Sequence, residues 1–526
     1  MPSFRNQLIR RSRDRDFLLR TALAIGASGI ALGFVASHLG PAKGRIAGAT
    51  FDSAVLGGVP TVGDEGGEEQ ESDGTRKLSQ AAWGPETIAA LVRFHPELAS
   101  SAIATLEPEQ RLLFEHYRDA LHSPGEAYAV ARDALQAAAE RDPPPRFANE
   151  FYGHVLQLAD QHVEAAQRFR AEVERHPEAD FARRAEVASL LKIEDDEKLA
   201  ARIDDAAYRE TLAGDTYPRS LVQLGRWWEL TLWASAQSLS FDSPVWMAVT
   251  LFAGLVWFAV LCLLANADPQ PWDRVAIFAV AVALGIFSAF AVFPAIYFQK
   301  QVVGLQENGE LINDAIFFVS GVGLREELVK LLFFVPLLPV LIRRRSSMEA
   351  LAAAGCVGLG FAVNENLGYT GLGREGELFG RFVTANFLHV AFTGIAGLAL
   401  FHFIRWPKTR WEEFLACLVG VVIAHGLYDF FISGAMVQTT LGLPSIIIMA
   451  LAAYRYLDLA TETREGGDPE ISPFGVFVIG GSLIVALSWI HACWHLPLTD
   501  VMGGVGSAAL GVAALSFVFI NRLRHV

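Results

Sequence analysis

Apolar runs of about 20 residues, long enough to cross the hydrocarbon core of a bilayer as a helix, recur along this chain and set its plan. The first runs from Phe17 to His38, interrupted by Arg20 and preceded by Arg5, Arg10, Arg11, Arg13 and Arg15. It is long for a cleaved leader, so the pattern predicts an uncleaved signal anchor over residues 1–40 with its basic end in the cytoplasm. Nine more apolar segments follow: Pro244–Ala265, Val275–Phe298, Leu311–Ile342, Ala350–Tyr369, Phe382–Ile404, Phe414–Ser433, Leu441–Tyr454, Pro473–Ile490 and Val501–Ile520. Leu311–Ile342 is too long for one straight span, and Gly321 and Gly323 predict a break or re-entrant start inside it. The expected fold is therefore all-α: a polytopic bundle of about ten transmembrane helices, with a multi-span membrane domain over 244–526.

Between the anchor and these spans the pattern changes twice. Residues 41–82 are rich in glycine and acid, with almost no large apolar side chain after Val62, which predicts a flexible linker. Residues 83–216 show amphipathic helices with charged faces, such as Ala127–Glu140 and Val163–Glu174, and so predict an extramembrane helical domain. Within it Ala131, Leu135 and Pro143 recur one period later as Ala165, Phe169 and Pro177, with Gly153 ahead of Ala165. A period of about 34 residues with small residues at the helix crossing resembles tetratricopeptide repeats, and an ordinary helical bundle fits the same pattern. Residues 217–240, with Trp227, Trp228 and Trp233 beside Arg226 and Glu229, predict a helix lying at the membrane interface.

Composition supports this plan: the chain has 526 residues, 52% of them apolar. The formal charge of -14 comes largely from the linker and the helical domain, which argues against nucleic acid as a partner. Cys262, Cys356, Cys417 and Cys493 fall in apolar spans without metal-type spacing and read as small core residues. Basic residues test the span count independently. With ten spans, Arg343–Arg345, Arg405–Arg410, Arg455, Arg522 and Arg524 share the side of the N-terminus, and the linker and helical domain take the other. Both termini are then expected in the cytoplasm, and in a double-membrane bacterium the chain would sit in the inner membrane.

The candidate chemistry lies where charge is expensive. Glu326 and Glu327 stand inside an apolar segment, where each ionised carboxylate costs a few kcal/mol to insert. Later spans carry Glu365 with Asn366, then His389, then His425 with Asp429, all reaching the middle to outer half of the bilayer. Lys330 is i,i+4 to Glu326 and i,i+3 to Glu327, so it can pair with one carboxylate and leave the other free. His425 and Asp429 share a helix face, as do Phe361 and Glu365. Carboxylate and imidazole together offer what peptide hydrolysis needs, a proton acceptor for water and a polarising group for the carbonyl. Such a buried set also builds proton-coupled transporters. By contrast, His491 with His495 reads as anchoring at a span end, and Glu412 with Glu413 as helix-start electrostatics.

The motifs Glu326-Glu327-Leu-Val-Lys330, Phe361-Ala-Val-Asn-Glu365-Asn366, His389 and His425-Gly-Leu-Tyr-Asp429, in that order on consecutive spans, resemble the PrsW family of intramembrane proteases. They are more distantly similar to the CAAX-prenyl endopeptidases. The likeness covers residues 311–436. Lys330 stands where the wider group often has Arg, and Glu365 where it has His, which favours PrsW. The resemblance implies an endopeptidase with Glu326 or Glu327 as general base and Glu365, His389, His425 and Asp429 as partners in activating water or holding the substrate. Lys330, Phe361 and Asn366 would support them. Glu365, His389 and His425 would suit a zinc ion with a vacant site for water, while a carboxylate pair could activate water unaided. The implied substrate is another membrane protein, with a membrane-bound anti-sigma factor as one candidate. A proton-coupled transporter and an inactive membrane scaffold are the alternatives, and the oligomeric state is not legible.

Overall fold

The computed structural model describes residues 4–39, 103, 108–212, 214–238, 244–266, 273–371, 381–382, 384–433, 442–464, 469–495, 498, 501–502, 514–519 and 521–522. The predicted linker, and most of the predicted span Val501–Ile520, lie outside them. Helices account for nearly all of the described residues, and no strand occurs among them. Two compact units result, one formed by Met1–Lys43 with Trp228–Val526 and the other within Gly44–Trp227.

The N-terminal helices are α1 (Phe4–Arg13) and α2 (Arg15–Leu39). The second unit runs through α3 (Pro108–His122), α4 (Glu126–Ala139), α5 (Ala148–Leu158), α6 (His162–Arg175), α7 (Asp180–Ile193), α8 (Asp196–Asp204), α9 (Ala206–Thr211) and α10 (Thr216–Gln223). Ala131, Leu135, Ala165 and Phe169 are all interior. Leu199 and Ile203, one period further on, are interior too. Gly153 is small because a Cβ there would come within 2.9 Å of the Phe169 ring. Tyr117 stacks on Phe151 at 4.2 Å between centroids, and its hydroxyl shares a hydrogen bond with Nδ1 of half-buried His154 at 2.5 Å. Burial pushes the His154 imidazole down to about 4.

In the other unit, eight helices among the described residues are long and apolar enough to cross a membrane: α2, then α12 (Pro244–Leu264), α13 (Asp273–Phe298, extended by π-turns to Val303), α17 (Ser347–Gly371), α18 (Thr384–Arg405), α19 (Pro407–Ser433), α20 (Gly442–Thr463) and α21 (Pro473–His495). Ahead of α12 lies α11 (Trp227–Ser238), whose Trp233 ring meets Tyr297 edge-on at 6.5 Å. The predicted span Leu311–Ile342 is helical without being one regular helix. It comprises α14 (Leu311–Ile316), a π-helical stretch at Phe317–Gly323, α15 (Leu324–Phe334), a 3-10 turn at Val335–Leu337 and α16 (Leu338–Arg344). The glycines bring the wider π-turn, and Pro336 and Pro339 the tighter turn that follows α15.

The centre of this unit is α17, 94% buried over its most apolar window, against 17% for α2 at the periphery. Small residues make that centrality feasible. A Cβ on Gly358 would collide with the His389 carbonyl, so α17 and α18 lie backbone to backbone. At one end of the unit Arg344 ties the start of α13 to the start of α17, bonding Asp273 at 2.6 Å and also Glu349. The N-terminal helices belong to the same bundle. Arg5 pairs with Glu470 at 2.6 Å, the Ser472 amide donates to Ser12 Oγ at 3.1 Å, and Gly29 and Gly33 face Ala486 and Trp489 of α21.

Candidate functional site

The site begins with a close approach of two helices. A Cβ on Gly323 would lie 2.5 Å from the Val422 carbonyl oxygen and 2.9 Å from the Gly426 amide, and a Cβ on Gly426 would collide with Val319. Because neither has one, the π-turn and α19 meet flush. The first turn of α15, carrying Glu326 and Glu327, is thereby set against His425.

Both oxygens of Glu327 have donors. Its Oε1 accepts from Lys330 Nζ at 2.9 Å and from His425 Nδ1 at 2.8 Å, and its Oε2 accepts from the Thr393 hydroxyl at 3.2 Å. The residue is wholly buried. Glu326 is placed otherwise. Its Oε2 is 3.4 Å from Lys330 Nζ and 3.7 Å from His425 Nε2, its Oε1 has no hydrogen bond among the described residues, and 8% of its surface stays open.

The histidines follow from these contacts. Nδ1 of His425 donates to the Glu327 carboxylate, which turns Nε2 toward Glu326 Oε2 at 3.7 Å on one side and Asp429 Oδ2 at 3.4 Å on the other. His389 lies with its ring centroid 5.2 Å from that of His425, Nδ1 at 2.9 Å from Lys330 Nζ and Nε2 at 2.9 Å from Glu365 Oε2. Phe361 closes the chamber, its ring 4.0 Å from the Lys330 ammonium and 5.4 Å from the His389 ring. Asn366 donates to Asn386 Oδ1 at 2.7 Å, away from the acids.

Glu326, Glu327, Lys330, Phe361, Glu365, His389, His425 and Asp429 thus come together, although they arise from four helices, and several neighbours join them. Thr393 lies one turn after His389 on the same face, a spacing that could have marked it. Arg381 bonds Glu365 Oε1 at 2.7 Å but sits in a polar connection, where a lone arginine carries no signal. Arg325 donates to Gln299 Oε1 at 2.5 Å, a pairing between segments distant in sequence. His491 is elsewhere, edge-on to Trp246 at 4.6 Å, and the side chain of His495 lies outside the described residues.

For a metal ion the compact donor set is Glu326, His389 and His425, each buried, with one donor atom apiece lying within 4.8 Å of the others. The sequence reading placed Glu365 in that set. In the structure Glu365 stands one step behind, with one oxygen toward Arg381 and the other toward His389. Two imidazoles and a carboxylate, with a carboxylate behind each histidine, fit a divalent ion of borderline softness.

Buried carboxylates, imidazoles and an ammonium inside an all-α membrane bundle define a class of site that moves protons and activates water away from bulk solvent. Residues 270–457 match the family model described as PrsW family intramembrane metalloprotease, and that range holds every residue of the cluster. This region is a PrsW-type protease domain, the chain is a peptidase, and its substrates are membrane proteins in the bilayer. No curated protein and no solved structure matches the chain.

Proposed function

We infer that the chain is an intramembrane endopeptidase in which Glu326 takes the proton from the attacking water. One observation carries this reading: of the adjacent glutamates, Glu327 has both oxygens engaged by three donors, whereas Glu326 keeps Oε1 open. A general base needs a free lone pair within reach of water. Glu327 then serves as the anchor that holds Lys330, His425 and Thr393 in place.

The charges support a further positive partner. Among the described residues, Glu326, Glu327, Glu365 and Asp429 lie with Lys330, Arg325 and Arg381, so four carboxylates meet three cationic side chains, and with the acids ionised and the histidines neutral the cluster carries one negative charge in excess. A shared proton or a cation balances it. Zinc is the ion this donor set suits, with Glu326 Oε2, His389 and His425 to hold it, and when bound it would supply Lewis acidity to the scissile carbonyl. Glu326 has one oxygen for each task. His425 is kept by Glu327 in the tautomer whose Nε2 faces the reacting groups, and Asp429 beside that nitrogen helps to orient the substrate. Lys330, bonded to both carboxylates, holds the acid pair together.

The basic residues gathered at the end marked by Arg5, Arg344 and Arg455 support cytoplasmic termini, with the 83–216 region outside and the cut toward the outer half of the bilayer. In a double-membrane bacterium this is the inner membrane. The repeat-like burial of residues 108–204 supports a tetratricopeptide-like stack that recruits the substrate. The resemblance of the motifs makes a membrane-bound anti-sigma factor a candidate for that substrate.

The test compares purified wild type, Glu326→Gln and His425→Ala on a panel of single-span membrane substrates, with bound zinc quantified on the same samples. Cleavage lost in both variants is the expected result. Cleavage that persists in Glu326→Gln would remove Glu326 from its role, and proton flux without cleavage by wild type would turn the reading toward a transporter.

A further inference from the structure

We propose that Arg325 is a substrate-binding residue of the hydrolytic site, donating hydrogen bonds to main-chain carbonyls of an unwound transmembrane segment that lies against Glu326; its use in cleavage rests on the proteolytic reading above. Arg325 is nine-tenths buried, in the first turn of α15 and directly before Glu326. Among the described residues only Nη1 is matched, donating to Gln299 Oε1 at 2.5 Å. Nε is sealed from solvent and bonds nothing there, and Nη2 is likewise without a bond but not sealed. The charges of Glu326 and Asp429 act on the guanidinium, yet among the described residues it forms no ion pair. The acids of the chamber are engaged elsewhere: Glu326 by Lys330, Glu327 by Lys330, His425 and Thr393, Glu365 by Arg381, and Asp429 by His425. A guanidinium buried in an apolar segment with most of its donors idle is costly until an acceptor arrives.

A substrate brings such acceptors. An amide inside a helix has its carbonyl bonded within its own segment, so hydrolysis in the bilayer needs local unwinding, and the carbonyls set free find no water there. They need donors from protein. A planar guanidinium suits this need, since it offers several N–H groups at fixed angles and no acceptor. Its seat is prepared. Gln299, in the π-turn that extends α13, accepts from Arg325 through Oε1 and donates from Nε2 to the Gly321 carbonyl at 3.3 Å, so the guanidinium is held from two segments. Successive residues point about 100° apart around a helix. Arg325 therefore reaches beside the carbonyl that faces Glu326, to a neighbouring one of the same unwound segment.

The test uses the full chain carrying Glu326→Gln, so that bound peptide is held uncut, in phosphatidylcholine liposomes with two synthetic probes. One is a lysine-flanked Leu/Ala helix of about 20 apolar residues with Gly-Pro at its centre, and the other is the same helix with Ala-Ala there. The Gly-Pro break frees carbonyls that the unbroken helix satisfies itself. The chain should bind the broken helix about 10-fold more tightly, the size of one charge-assisted hydrogen bond. Adding Arg325→Met should bring the two affinities together. Arg325→Lys keeps the charge, which protects the fold, but loses the fork, and should leave a preference of about 3-fold. Gln299→Leu removes the same internal bond while keeping the guanidinium, and should retain most of the preference. An undiminished preference in a folded Arg325→Lys or Arg325→Met protein would overturn the proposal, as would no preference in the parent chain. A loss in Gln299→Leu as complete as in Arg325→Met would also overturn it, by giving Arg325 a purely structural role. With Glu326 restored, Arg325→Lys should raise KM about 3-fold on a cleaved substrate with kcat little changed, as for a contact made equally before and in the transition state. A wild type that cleaves nothing would count against the proteolytic reading alone, because probe binding is read without cleavage.

Discussion

Both units of this chain bury glutamates among helices, and they satisfy them differently. In the helical unit of residues 108–223, Glu172 accepts from the Phe147 amide at 2.7 Å and so holds a turn in which Phe147 has φ 72°. Glu186 takes Arg202 Nε at 2.7 Å on one oxygen and the Tyr208 hydroxyl on the other. In the membrane unit Glu327 is held in the same way, but its neighbour Glu326 keeps an oxygen open toward the chamber. Burial of a carboxylate marks a cost. An oxygen left without a donor marks a place where something else, a proton, a cation or a water, is expected to bind.

The sharpest way to break this comparison is to exchange the roles of the two adjacent acids. Glu326→Gln should lower kcat by about 10²- to 10⁴-fold, the range of a lost general base, with the melting temperature nearly kept. Glu327→Ala should instead cost about 3–5 kcal/mol of stability by stranding the buried Lys330 charge, seen as unfolding at lower denaturant. If Glu327→Ala were as stable as wild type, or Glu326→Gln as unstable as Glu327→Ala, the distinction between anchor and base would fail.

Gly426→Val tests whether the flush contact of α19 with the π-turn sets the distance from Glu327 to His425. Overpacking there should cost about 1–3 kcal/mol and reduce cleavage well beyond what that loss of folded protein explains. Full activity in a stable Gly426→Val protein would show that the site tolerates separation of these helices.

The helical unit offers a pH-dependent counterpart. His154 is pushed down to about 4 by burial, below its ordinary value of 6.5, so between those limits the unfolded chain binds the extra proton. The stability of this unit is therefore complete above about pH 6.5 and falls by about 3 kcal/mol as the pH drops to about 4. Hydrogen exchange of the α3 to α7 amides in the full chain should show the decline, and His154→Gln should flatten it. The smallest effect is expected for Glu172→Gln, about 1–2 kcal/mol in the same exchange measurement, since an amide oxygen still accepts from Phe147 but without charge.

The long segment from Leu311 to Ile342 shows where sequence reading succeeded and where it stopped. Its excess length and its paired glycines signalled an irregularity, because both are local properties. Whether the irregularity would be a break or a wider turn depended on Gly426 and Val422 of another helix, about a hundred residues away in sequence. The helical unit shows the same division: Ala165 and Phe169 read as interior from the amphipathic pattern and are buried, while Leu199 and Ile203 are buried as well, at positions that the sequence pattern did not single out.

By itself the sequence determined the all-helical class, because apolar length and helical periodicity are written residue by residue. It also named Glu326, Glu327, Lys330, Glu365, His389, His425 and Asp429, since each is too costly to bury in an apolar segment without a partner. Only the tertiary structure decided which partner each one has. That both oxygens of Glu327 have donors while Oε1 of Glu326 has none among the described residues, that Glu326 closes the donor set with the two histidines while Glu365 stands behind one of them, and that Arg381 pairs with Glu365, all depend on the relative placement of helices. Hydrogen bonds are directional and reach about 3 Å, so a displacement of one turn between two helices would have assigned the same residues different roles.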